Sequence, residues 1–195
     1  MNDVLEIAEN QQKRAWQVLE ETDILGIWNS IGATVNLVGS LRTGLLIGRR
    51  DIDLHIYTEP FRLSESFEAM ARLAEKHGVK SIRYANLMEA EDRCVEWHAF
   101  YEDGNGHVWQ MDMIHILNDS PYAGYFERVA ERIGSVLTDE TREAILSIKQ
   151  DLGPERDVPG IEVCRAVLEG GVRDARSFRE WRAAHPVDGI MVWMP

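Results

Sequence analysis

The chain has 195 residues, and its 21 Lys and Arg against 33 Asp and Glu give a formal net charge of −12. With 45% hydrophobic and 28% charged residues it is an ordinary globular mix, which excludes whole-chain disorder, collagen and coiled coil. The acidic excess argues against broad, non-specific nucleic-acid binding, which needs basic surface, while leaving room for a locally basic nucleotide pocket.

In chain order, Val4, Leu5, Ile7, Ala8, Ala15, Val18 and Leu19 recur with helical spacing, so residues 3–20 predict an amphipathic helix. Gly26 and Gly32 punctuate a short segment around Ile27 and Trp28. A strand is expected at about 33–38, ending in Gly39-Ser40, followed by a short helix at 41–47 and a strand at 51–57 rich in branched and aromatic residues. Thr58-Glu59-Pro60 breaks that strand, and Ser64 is the expected cap of a helix over 65–77 that ends at His77-Gly78. After a further strand at 79–85, residues 94–101 and 107–116 read as a hairpin around Asp103-Gly104-Asn105-Gly106, because Asp-Gly and Asn-Gly tolerate positive φ. Residues 122–150 and 160–184 read as helices, separated by Gly153-Pro154 and Pro159-Gly160. The apolar tail around Trp193 is expected to pack back. Helices and strands are mixed rather than strictly alternating, so the expected class is α+β: a mixed central sheet flanked by helices, with a core over 1–118 and a C-terminal helical region over 119–195.

Chemistry concentrates in one stretch. Period-2 alternation puts Asp51 and Asp53 on one face of their strand, while Ile52, Leu54 and Ile56 turn to the core. Two carboxylates so placed repel unless a cation neutralises them, and hard oxygen donors suit Mg²⁺. A pair of such ions could hold both an attacking oxygen and triphosphate oxygens. Just upstream, Gly39 allows close backbone approach, Ser40 offers a hydroxyl, and the following helix start offers free amides to an anion. Arg42 can reach a triphosphate oxygen, with Arg49 and Arg50 nearby. A third acid is expected from another strand, and Asp112, set among strand residues, is the candidate. His55 shares the parity of Asp51 and Asp53. His98 and His115 read as structural, and Glu96 shares the parity of His98. Cys94 and Cys164 read as buried free thiols.

A Gly-Ser turn, a short helix, an acid-x-acid strand and one later strand acid together resemble the DNA polymerase beta-type nucleotidyltransferase superfamily, in particular its small bacterial and antibiotic-modifying members. The resemblance covers residues 35–57 and 110–114 and extends weakly to the helical C-terminal region. It implies a nucleotidyltransferase fold in which Asp51 and Asp53 bind two Mg²⁺ ions, Asp112 serves the catalytic metal, and Ser40, with Gly39, Arg42 and Arg50 around it, meets the triphosphate of an NTP such as ATP.

The expected activity is transfer of an NMP group to a hydroxyl or phosphate of a small-molecule or protein acceptor. Net charge weighs against extended nucleic acid as that acceptor. The alternative is a nucleotide-binding or toxin–antitoxin-like module that keeps the fold without turnover; a phosphohydrolase is a third reading, disfavoured by the scattered histidines. The sequence allows a homodimer. No apolar run approaches the length of a membrane span and the N-terminus lacks a signal-peptide pattern, so a cytoplasmic protein is expected.

Overall fold

A computed structural model describes residues 3–153 and 158–195. Pro154, at the expected break between helices, lies outside the described residues. The chain divides into two compact units: one comprises Lys13–Val38 and Arg50–Glu127, the other Met1–Gln12, Gly39–Arg49 and Arg128–Pro195.

The first unit is built on a five-stranded mixed sheet. Its strands are β1 (Thr34–Val38), β2 (Asp51–Tyr57), β3 (Val79–Leu87), β4 (Cys94–Glu102) and β5 (Val108–Ile116), in the order β1-β2-β5-β4-β3. Only the central β2–β5 pair is parallel. Period-2 alternation gives this sheet two unlike faces. Ile52, Leu54, Ile56, Trp97, Trp109, Met111 and Met113 are buried on one. That face is covered by the second half of α1 (Val4–Thr22), by α2 (Ile24–Asn29) and by α4 (Leu63–Ala74). Thr22 Oγ1 and Trp28 Nε1 reach the sulfurs of Met111 and Met113, and Trp97 Nε1 donates to Ser66 Oγ at 2.8 Å. The other face carries half-buried polar groups: Asp51, Asp53, Gln110, Asp112, Glu96 and His98.

The β4–β5 turn is tied down by the buried Asp103. Its carboxylate accepts from the backbone N–H of Asn105 and His107, from Trp109 Nε1 and from Arg14 Nε at 2.9–3.1 Å. Burial opposes that charge, but Arg14 and the three N–H donors outweigh it and hold the carboxyl well below its usual range. The hairpin turn is thereby fixed to α1.

In the second unit, α6 (Asp139–Leu152), α7 (Gly160–Leu168) and α8 (Ala175–Ala184) pack on one another, and α3 (Gly39–Thr43) packs on α7. The 122–150 stretch, expected as one helix, is two: α5 (Tyr125–Val136) ends before Thr138, which starts α6 with a reciprocal cap to Thr141. The 160–184 stretch likewise splits, because Gly171 takes a positive φ and Asp174 caps α8 through the N–H groups of Arg176 and Ser177. The expected cap Ser64 instead lies inside α4, whose N-cap is Arg62 with no side-chain bond. As expected, the tail packs back: Trp193 is buried and its Nε1 donates to Glu169 at 2.7 Å. Among the described residues no helix is long and apolar enough to cross a membrane.

Candidate active site

In the sheet unit, β2 and β5 run parallel with Asp53 opposite Asp112 and Asp51 opposite Gln110. Opposed residues on neighbouring strands point to the same face, roughly 5 Å apart at the backbone. Asp51, Asp53 and Asp112 therefore share one face of the sheet, as the sequence predicts, with Asp53 and Asp112 as lateral neighbours. Because the acids of β2 alternate with fully buried Ile52 and Leu54, the core contacts of this strand dictate where the carboxylates face.

Asp112 is not bare. His98, its cross-strand partner on β4, donates from Nδ1 to Asp112 Oδ1 at 2.5 Å, and Gln110 Nε2 donates to the same oxygen at 2.8 Å. Glu96 Oε2 stands 3.4 Å from His98 Nε2. The hydrogen bonds to Asp112 and then Glu96 outweigh partial burial and raise the imidazole to about 10, so His98 is a cation at neutral pH. His98, expected to be structural, sits beside the third acid and bonds to it. Sequence signal existed, since His98 and Asp112 each stand seven residues from Asn105, the middle of the hairpin turn.

Further along the same face, Glu127 at the start of α5 accepts from Tyr57 at 2.6 Å and lies 3.3 Å from His55 Nδ1. Burial works against its charge, but these partners prevail and hold it at about 2. His55 is thus engaged with Glu127, in keeping with a strand histidine satisfied by hydrogen bonds.

The Gly-Ser turn belongs to the helical unit. Gly39 opens α3 with φ +63° and Ser40 is half-buried. Ser40 Oγ accepts from Lys149 Nζ at 2.8 Å, and Lys149 also donates to the carbonyl of Leu45 at 2.7 Å. The N-terminal residue of α7, Gly160, lies so close that a Cβ there would sit 3.4 Å from Ser40 Oγ and 3.5 Å from Lys149 Nζ. Ser40 and Lys149 thus meet beside the start of α7. Lys149 and Gly160 were not anticipated. The signal for Lys149 was available: Ile145, Ile148 and Leu152 make an apolar stripe in which position 149 is a lysine. Arg42 and Arg50 are exposed, and Arg49 Nη1 donates to the carbonyl of Val158.

As metal ligands, the three acids offer the hard oxygen donors that Mg²⁺ prefers, and both bonds to Asp112 land on Oδ1, with no described hydrogen bond on Oδ2. The donor set fits. Among the described residues, a different group, Asp92, Cys94 and Glu96, has donor atoms all within 4.8 Å of one another. Its thiol is buried, donates to Asp92 and is pushed up by that burial, which suits it poorly to thiolate ligation.

No family model and no curated protein matches the chain. Solved structures do. A non-canonical poly(A) polymerase, in the GLD-2–GLD-3 complex, aligns at TM-score 0.57 and 9% identity over 89% of this chain and 61% of its own. GLD-2 in complex with RNP-8 aligns at 0.55 and 12%, over 92% and 68%. Cid1, described by its RNA terminal uridylyl transferase activity, aligns at 0.53 and 16%, over 82% and 47%. The chain spans 61% of the length of the first of these and 47% of the last. This likeness shows a nucleotidyltransferase-like fold, a mixed sheet flanked by helices with further helices toward the C-terminus. The solved structures the chain resembles are a poly(A) polymerase and a terminal uridylyl transferase, not the antibiotic-modifying members that the sequence pointed to. The expectation from net charge that extended nucleic acid is unlikely is corrected, because Cid1, a structure of this fold, is described as an RNA terminal uridylyl transferase. Net charge averages the whole surface and does not report a local basic site.

Proposed function

We propose that the protein is a metal-dependent nucleotidyltransferase that adds an NMP group from an NTP to the 3′ end of an RNA. The observation that carries this reading is the placement of Asp51, Asp53 and Asp112 on one sheet face, with Asp53 and Asp112 in register on parallel strands. The fold shared with poly(A) and terminal uridylyl polymerases supports both the reaction class and the acceptor.

In this reading Asp51 and Asp53 hold two Mg²⁺ ions and Asp112 serves the catalytic one. When bound, the metals supply Lewis-acid stabilisation of the phosphate charge and lower the cost of ionising the acceptor hydroxyl. Asp112, already held through Oδ1, would keep its second oxygen for the catalytic metal. Ser40 is assigned to the triphosphate of the NTP. Gly39 keeps the backbone near Ser40 open, and Arg42 and Arg50 are cations for outer phosphate oxygens. The acceptor O3′ attacks the α-phosphorus, the bond to the bridging oxygen breaks, and pyrophosphate leaves.

The test is to incubate the full chain with Mg²⁺, a short end-labelled oligoribonucleotide and each NTP in turn. A ladder of extended product is expected, and it should vanish in Asp53→Asn. A ladder that persists in that variant refutes the assigned roles. NTP binding without extension of any RNA favours the non-catalytic module.

A further inference from the structure

The third acid of the site is held by a neighbour whose geometry goes beyond simple packing. His98 and Gln110 both donate to the same oxygen, Oδ1. A carboxylate held by two donors on one oxygen loses rotation about its Cβ–Cγ bond, so its other oxygen is committed to one direction. The imidazole is itself fixed at both ends, with Glu96 Oε2 3.4 Å from Nε2 and Asp112 on Nδ1. The row Glu96–His98–Asp112 thus crosses from β4 to β5 on the acid-bearing face, and the register His98↔Asp112 places it.

We propose that His98 is a positioning residue for Asp112: by donating Nδ1–H to Oδ1 it reserves Oδ2 for the cation and fixes that oxygen before metal arrives. This inference rests on the reading of Asp112 as a metal ligand. It requires only an Nδ1–H, which the ring carries whether charged or in the matching neutral tautomer. Metal-site groups one bond removed from the ion change affinity or activity by roughly 10–100-fold when lost. Asparagine is the informative replacement, because its side-chain N–H can take the place of Nδ1–H, whereas alanine leaves Oδ1 with Gln110 alone.

Mn²⁺ binding to the full chain, in the presence of a non-hydrolysable NTP analogue, is read by the loss of the free-ion electron paramagnetic resonance signal. His98→Ala is expected to weaken Mn²⁺ by about 10-fold or more. His98→Asn should recover binding to within about threefold of wild type. In the transfer assay His98→Ala should raise the Mg²⁺ needed for half-maximal rate and lower kcat while KM for NTP stays put; a merely structural residue would not show this split together with the asparagine rescue. Wild-type Mn²⁺ affinity in His98→Ala, or equal losses in alanine and asparagine, overturns the proposal. If His98→Ala does not fold, Glu96→Gln decides: a smaller loss of Mn²⁺ affinity in the same direction supports the proposal, and none overturns it. Asp112→Asn separates the two levels. If that variant transfers and binds Mn²⁺ like wild type, the reading of the site fails. If it does not, a silent His98→Ala sinks the positioning role alone.

Discussion

His98 on β4 and His115 on β5 stand on neighbouring strands of one sheet, one on each face, and their surroundings treat them oppositely. His98 faces Asp112 and Glu96 and is held as a cation. His115 is fully buried under Trp28 and Phe61, with Thr58 and Ser66 hydroxyls 2.9 and 3.2 Å from its two ring nitrogens. Burial pushes it down to about 4, so it stays neutral. One residue type is thus a charge carrier on one side of the sheet and a polar filler on the other. Each strand serves both roles at once, its odd and even positions answering to different physics.

The comparison breaks most sharply within β2, where Ile52 and Asp53 are adjacent and face opposite ways. Ile52→Ala should cost about 2–5 kcal/mol of unfolding free energy, measured by urea titration, while transfer at low temperature persists. Asp53→Asn should lower transfer by at least about 100-fold, or roughly 3 kcal/mol of barrier, while unfolding stays cooperative. If both variants lose stability and activity in step, the two faces are not functionally separable.

A smaller effect tests the buried histidine. The folded pKa of His115 lies below the ordinary 6.5, so the unfolded chain binds the proton first as pH falls. Its contribution is complete above about 6.5 and is lost progressively down to about 4, on the order of 3 kcal/mol. In His115→Gln, urea midpoints should start lower at pH 7 yet fall less between pH 6.5 and 4; an unchanged slope refutes the assignment. Glu127 works with the opposite residue type. Its carboxyl is depressed from 4.5 to about 2, so its stabilisation holds above about 4.5 and disappears as pH falls toward 2. Glu127→Gln should cost about 1–2 kcal/mol at pH 7 and flatten the acid limb.

Much of this architecture was legible in the sequence. The span 51–57 read as a strand because alternation and β-branched residues agree, and the structure has β2 there. The acids followed from the same alternation. Helix boundaries in the C-terminal half were misread because apolar spacing continues across Thr138 and Asp174, whose capping hydroxyl and carboxylate end one helix and begin the next only once the backbone turns. Ser40 was anticipated but its partner was not: Lys149 lies more than a hundred residues away, and only folding joins them. Glu127 was likewise invisible, because its role depends on an α5 start that meets Tyr57 and His55 in space.

The parallel β2–β5 pairing carries a kinetic consequence. Cys94–Glu102 and Val108–Ile116 meet across a short turn locked by Asp103, a local event, whereas Asp53 meets Asp112 across about sixty residues of intervening chain. Contacts of long sequence separation form late because loop closure must precede their reward. The hairpin that carries His98 and Asp112 is therefore expected to be structured in the folding transition state, with φ-values well above those of β2. Asp53 would reach Asp112 only as the last strand docks, so a chain that binds metal through all three acids has, by that act, completed its sheet.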